Sequence, residues 1–546
     1  MRTPAPSGAI GAIVLFPFLF AAAALGQSRQ PPAPTFRSDT RLVQVTVVVH
    51  DKQGKPVTGL TAGDFHLFEE GKEQPIQLFS VETDRIAPRP AAAPLSASTF
   101  SNRFEGRAPA SVTVILLDRL NTGFTDQKQA RDHIVSFLGQ VQRDDRVALY
   151  VLESGFIHIL HDFTTDSTAL LRALARYRAT TSSAQLAAAE AQTPDFAQTG
   201  NAAEDAAMDA FLRQSTEMIA ADANVRRAES TLSGLEAIAN HLAGIRGRKN
   251  LIWVSSGFPV VISDERGQAR TMTKEVNRAT RAVNNANVAI YPVDARGLIG
   301  AFASPPGARS PVFTTMSTVR GNTDVMQTLA ADTGGRAFFN TNDISGAVRR
   351  AIDDGRVTYV LGYYPSHGNW DGKFREIKVK VNRPGVDVRH RRGYLALPAA
   401  VDAAKRKEAL LDALRSPLEA TGIGLTAHVA SIATQGQAAD EVAIAIHVDP
   451  GSLTLEKTGA VWEGAFDLLI AQSTSAAAFF KDLDTTVKLE LPSEKHDQML
   501  AEGFTVNRKV VLRADTHRLL IVLRDVASGA IGSVIIPAEK MHAALR

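Results

Sequence analysis

The residues best placed to do chemistry are Asp118, Asn121 and Thr122, which close the run Ser111-Val-Thr-Val-Ile-Leu-Leu-Asp118. A continuous apolar run rich in β-branched residues reads as a strand buried on both faces of a parallel sheet. A carboxylate and hydroxyls at the carboxyl end of such a strand stand where open α/β sheets take their ligands. Two roles are open to them. They could hold a divalent cation, or Asp118 and Thr122 could cap the first N–H groups of the helix that follows.

Other reactive residues carry weaker patterns. His158 and His161 lie three apart beside Asp162, but strand alternation puts them on opposite faces. Ser255-Ser256 follows a strand as a nucleophile would, yet no motif places a histidine near it. Asp144-Asp145 and Asp353-Asp354 read as turn and helix-end carboxylates, and Trp253, Trp370 and Trp462 read as core. The chain has no His-Glu-x-x-His, no Gly-x-Ser-x-Gly, no Gly-x-x-x-x-Gly-Lys and no EF-hand loop. It has no cysteine either, which excludes thiolate chemistry, disulfides and a lipoprotein attachment site. The expectation is a protein that is not an enzyme.

The length of 546 residues implies roughly three or four domains. A formal net charge of +3 is too small and too dispersed for a nucleic-acid surface. The densest basic cluster, Arg389-His390-Arg391-Arg392, is expected at a solvated hairpin end. Residues 1–26 read as a signal peptide cut after Gly26, with Arg2, an apolar run from Ile10 and a small-residue cleavage site. The mature protein is then secreted or periplasmic, with no transmembrane span.

Residues 27–39 carry Pro31, Pro32 and Pro34 and read as a linker. Residues 40–82 alternate as a small β-sandwich-like module, and 83–110 form a Pro/Ala-rich linker. From 111 to 365, strand and helix alternate as in an α/β, doubly wound sheet, interrupted by an Ala-rich insertion at 180–224 that is partly helical. An antiparallel β addendum is expected over 366–398. Seven short strand patterns over 401–546 predict a C-terminal β-sandwich-like domain.

The stretches Val57-Thr-Gly-Leu-Thr-Ala-Gly-Asp-Phe65, Leu116-Leu-Asp-Arg-Leu-Asn-Thr122, Gly247-Arg-Lys249, Ser255-Ser-Gly-Phe258, Tyr359-Val-Leu-Gly-Tyr-Tyr364 and Arg391-Arg-Gly-Tyr394 come in an order that resembles the von Willebrand factor type A-related secreted proteins of Acidobacteria. The resemblance implies a Rossmann-like type A domain flanked by β-sandwich (immunoglobulin-like) modules. Type A domains commonly bind Mg²⁺ through an Asp-x-Ser-x-Ser motif, a second-loop Thr and a third-loop Asp. On that pattern Asp118 stands at the motif Asp, Leu120 at the first Ser and Thr122 at the second. Thr231 stands at the second-loop Thr and Ser256 at the third-loop Asp, while Asn121 offers a replacement ligand. The implied adhesion site is therefore degenerate. It has lost one carboxylate and gained an aliphatic side chain.

The resulting expectation is an exported, non-catalytic binding or adhesion-type protein. It would take a protein or cell-surface polymer at the carboxyl end of the sheet, with the insertion and the 298–317 loop tuning that face. The alternatives are an exported hydrolase with a cleft at the same place, and an envelope scaffold whose site is vestigial.

Overall fold

The structure is a computed structural model that describes residues 42–83, 95–103, 111–142, 145–153, 156–181, 202–257, 261–263, 269–296, 324–367, 369–396, 402–432 and 441–544. The expected signal peptide (1–26), the expected 27–39 linker and the 298–317 loop lie outside these residues. No helix among the described residues is long and apolar enough to cross a membrane.

In chain order the strands begin with β1 (Val43–His50), β2 (Phe65–Glu69), β3 (Lys72–Gln74), β4 (Leu78–Thr83) and β5 (Thr99–Ser101). The organising strand β6 (Ser111–Asp118) is followed by α1 (Phe124–Leu138), β7 (Val147–Glu153), β8 (Phe156–Thr164) and α2 (Ser167–Arg176). Next come α3 (Ala202–Leu242), β9 (Arg248–Ser255), the hairpin β10 (Val261–Ser263) and β11 (Ala269–Thr271), α4 (Thr273–Asn285) and β12 (Val288–Asp294). The helix α5 spans 324–333, and α6 (Ile344–Asp353) leads into β13 (Val357–Tyr363), β14 (Phe374–Val381), β15 (Asp387–Arg389) and β16 (Gly393–Leu395).

The central sheet has the order β12-β9-β6-β7-β8. Its first four strands are parallel, and β8 runs antiparallel to β7 at the edge. Helices cover both faces. Val112, Val114 and Leu116 of β6 pack against α3, α4 and α5, whereas Ile115 and Leu117 pack against α1, α2 and α6. This is why β6 reads as unbroken apolar sequence: both of its faces are dry.

Three domain boundaries differ from expectation. Strand β13 does not belong to the central sheet, since it pairs antiparallel with β1 and β4. Sheets β15-β1-β13-β4 and β16-β14-β2-β3 close over a shared core that includes Val45, Val47, Leu67, Tyr359 and Val379. The 40–82 module and the 366–398 addendum are thus halves of one sandwich, and neither could bury its apolar face alone. Within the 83–110 linker, β5 adds to the C-terminal sheet beside β17 (Leu425–Ile432). Buried Asn102 fixes it there, donating to Ala420 O and Ile423 O and accepting from Leu425 N. In the insertion, 202–224 is the first half of α3, continuous with the helix expected from Thr231.

Two side-chain expectations also change. The β7–β8 register slips between Leu149 and Tyr150, so His158 and His161 sit opposite Val151 and Leu149, which share a face. Strict alternation therefore fails to separate them. In the basic cluster Arg389 turns inward to Asp354, His390 Nε2 accepts from Val379 N, and Arg391 donates to Gln44 O. Only Arg392 keeps the expected exposure, at 62 % of its side chain.

The C-terminal unit follows α7 (Ala403–Arg415). It contains β17, β18 (Glu441–Val448), β19 (Glu456–Thr458), β20 (Val461–Thr474), β21 (Phe479–Pro492), α8 (Ser493–Glu502), β22 (Phe504–Val511), β23 (Thr516–Asp525), β24 (Ile531–Pro537) and α9 (Ala538–Ala544). Two sheets enclose one core, and α7 lays Leu410 and Leu414 over the outer face of β20 and β23. The unit docks on the end of α3, where Thr421 Oγ1 donates to His241 O and accepts from Gly244 N. A Cβ on Gly244 would come within 2.3 Å of Thr421 O, so this contact needs a glycine.

Beside it, burial pushes the Glu419 carboxyl up to about 7, opposed by the hydrogen bond from Ile535 N. A carboxyl raised in the folded state favours folding while protonated and loses that contribution as pH climbs from the unfolded value toward 7. Glu419→Gln keeps the acceptor and removes the charge. It is expected to gain about 3 kcal/mol on the wild type between pH 4.5 and 7.5, read from urea denaturation across that range. A stability difference that does not change with pH would contradict this.

Candidate functional site

Strand β6 continues its α3-facing row Val112, Val114, Leu116 to Asp118, so the carboxylate enters the layer between sheet and helix. Leu117 pairs with Val254, which brings Ser255 alongside Asp118. Asp118 is only 2 % exposed. Its Oδ1 accepts from Asn121 N at 2.9 Å. Its Oδ2 accepts from Asn121 Nδ2 at 2.8 Å, Ser255 Oγ at 2.8 Å and Trp253 Nε1 at 3.0 Å. Asn121 Nδ2 also donates to Thr231 Oγ1 at 2.9 Å, and Thr231 Oγ1 donates to Arg227 O.

A second cluster lies beside the first. Thr122 Oγ1 accepts from Ser256 N, and Ser256 Oγ donates to Asp126 Oδ2 at 3.1 Å. Gln127 Nε2 ties Thr122 O to Thr180 O. The sequence-picked residues thus fall into two neighbouring networks, with Asp118, Asn121 and Thr231 in one and Thr122 and Ser256 in the other. Helix α1 has Gly123 at its N-cap without a side-chain bond. The capping role open to Asp118 and Thr122 is not taken, because Asp118 folds back on Asn121 and Thr122 serves Ser256.

Burial pushes the Asp118 carboxyl above its ordinary range, and the bonds from Asn121, Ser255 and Trp253 oppose the shift. All four contacts to it are donors, the arrangement that suits an ionised carboxylate. The nearby Arg227 guanidinium is pulled down by burial and held up by the Asp118 charge.

The residues do not fit a divalent cation. Mg²⁺ requires near-octahedral oxygen ligands and keeps several waters. Here Asp118 Oδ2 is met by three hydrogen-bond donors, and the hydroxyl oxygens of Thr122 and Thr231 already accept from N–H groups. Leu120 is buried in the core on the α3 side. Among Asp118, Asn121, Thr122, Thr231 and Ser256, only Asn121 has a buried side-chain oxygen without a hydrogen-bond partner. Among the described residues no group of three or more His, Asp or Glu side chains could hold a metal ion.

Sequence reasoning misses Arg227 and Gln127, and it does not join Ser255 or Trp253 to Asp118. The parallel β6–β9 pairing is what joins them, since Trp253 and Ser255, two apart at the end of β9, share the face of Asp118. The Ser256 hydroxyl donates to the carboxylate of Asp126, and no histidine is among its hydrogen-bond partners in the described residues.

No family model matches the chain, and no curated protein matches it. Several solved structures do. The SpRpn10 VWA domain is 12 % identical, with 42 % of this chain and 87 % of that one covered at a TM-score of 0.19. The TFIIH p34 N-terminal domain is 13 % identical, with 44 % and 96 % covered at 0.19. The open conformation of the pilus adhesin SpaC from Lactobacillus rhamnosus GG is 8 % identical, with 82 % and 56 % covered at 0.27. At such identities and TM-scores, what each of those proteins does stays with that protein.

Proposed function

We propose that this is an exported, non-catalytic binding protein with a type A-like, Rossmann-like α/β domain that works without a metal. It uses the surface at the carboxyl end of the central sheet to take a protein or cell-surface polymer. The observation that carries this reading is the saturation of Asp118 Oδ2 by three protein donors. A carboxylate held in this way is neither an open ligand nor a free general base, so it shapes the sheet end instead of reacting there. The β-sandwiches on either side of the α/β unit serve as rigid supports that present that surface.

The test is capture of binding partners from envelope extracts of the source organism by the immobilised mature chain, in Mg²⁺ and in EDTA. The same material should be captured in both. Capture that disappears in EDTA, or turnover of an extract component that is abolished by Ser256→Ala, would overturn the proposal.

A further inference from the structure

Among the described side chains of α3, the buried ones begin at Ala228, where the helix is seated on the sheet. In the preceding turns Met208, Phe211, Met218 and Ile219 are 55 %, 64 %, 42 % and 54 % exposed. At about 100° per residue these four side chains fall within an arc of about 100°, a continuous apolar stripe on a charged helix. Stripes of this kind on soluble proteins mark contact surfaces. The same arc carries exposed Glu204 at one end and Arg226, whose side chain is 65 % exposed, at the other.

Two pairs in this arc are symmetric about Ser215, while Met208 mirrors Asp222, whose carboxylate is engaged by Arg226 of its own helix. Glu204 and Arg226 lie eleven residues to either side of it, and Phe211 and Ile219 lie four to either side. We infer that residues 204–226 of α3 pair with the same segment of a second copy of this chain, antiparallel about a two-fold axis at Ser215. In such an isologous interface each contact occurs twice. Phe211 packs on Ile219 of the partner subunit, and Glu204 faces Arg226 of the partner subunit. A parallel pairing would oppose Glu204 to its own copy, so the charges select the antiparallel one. Arg226 also pairs with Asp222 one turn earlier in its own helix, which holds it on the stripe. The paired segment is about 33 Å long, enough for a seam of several turns.

Because the chain has no cysteine, Ser215→Cys in the full chain places a single thiol at the axis. Mild oxidation should convert this variant to a covalent dimer, while Gln214→Cys, which lies off the stripe, should cross-link far less. In sedimentation over about 1–100 μM the wild type should dimerise and Phe211→Glu should stay monomeric, with a melting temperature equal to that of the wild type diluted below the range in which it dimerises. Glu204→Arg and Arg226→Glu should each weaken the dimer by roughly fivefold, and the double variant should recover it. A monomeric wild type over the whole range overturns the inference, whether the stripe is covered by the chain itself or by another protein. A dimer indifferent to Phe211→Glu or to the charge exchange overturns it as well.

Discussion

Asp118→Ala is expected to destabilise the protein by about 3–5 kcal/mol, the cost of removing one partner from a buried charge-assisted network. The substitution leaves Trp253 Nε1, Ser255 Oγ and the Asn121 amide buried beside an apolar methyl group, without the acceptor they share. It also strips Arg227 of the carboxylate that supports its charge. Asp118→Asn keeps the volume and one acceptor oxygen, and should lose less. Urea denaturation checks both, and the loss for Asp118→Ala should be the same in EDTA and in excess Mg²⁺. A loss below about 1 kcal/mol, typical of an exposed polar contact, would mean the network is not holding the sheet end.

A second effect of similar size is expected at Asp354, at the end of α6. This carboxylate accepts from Tyr291 OH at 2.8 Å and from both terminal nitrogens of Arg389, and His50 Nε2 lies 3.5 Å away. Through Tyr291 it reaches Arg248, which donates to that hydroxyl and to Gly334 O. The cluster joins the α/β unit to β1 and β15 of the N-terminal sandwich, and burial pulls the His50 imidazole down despite the Asp354 charge. Asp354→Ala leaves the Arg389 guanidinium, 15 % exposed, with only the half-exposed Asp387, 3.5 Å from its Nε, as a counter-charge, and should cost about 3–5 kcal/mol. Replacing both ends, Asp354→Leu with Arg389→Met, should recover much of that loss, because paired apolar groups need no counter-charge. If the double variant is as unstable as the single one, the ion pair is not the source of the effect.

The parts of the fold legible in the sequence were those set by local periodicity. The double burial of β6, the helical spacing of α1 and α6, and the strands of the C-terminal unit all follow from which faces are dry. Partner choice was not legible. Thr358 to Tyr363 reads as one more buried strand, and nothing local says that Tyr363 pairs with Val43, some 320 positions earlier. The first half of α3 reads as only a partly helical insertion, because it is rich in Ala and polar residues and has few large apolar ones. Helix propensity builds it all the same, from Ala, Glu, Arg and Gln. At the site, Asp118 was found from its place at the strand end. The choice between Ser255 and Ser256 depended on the β6–β9 register, which a single sequence does not carry.

The most direct measurement is calorimetric titration of Mg²⁺, Ca²⁺ and Mn²⁺ into the purified chain, with Asp118→Asn in parallel. A sheet end closed by its own donors predicts no saturable heat with any of the three ions and no gain in melting temperature. Saturable heat in the wild type that is lost in Asp118→Asn would show that the carboxylate is an open ligand, contradicting a metal-free binding surface.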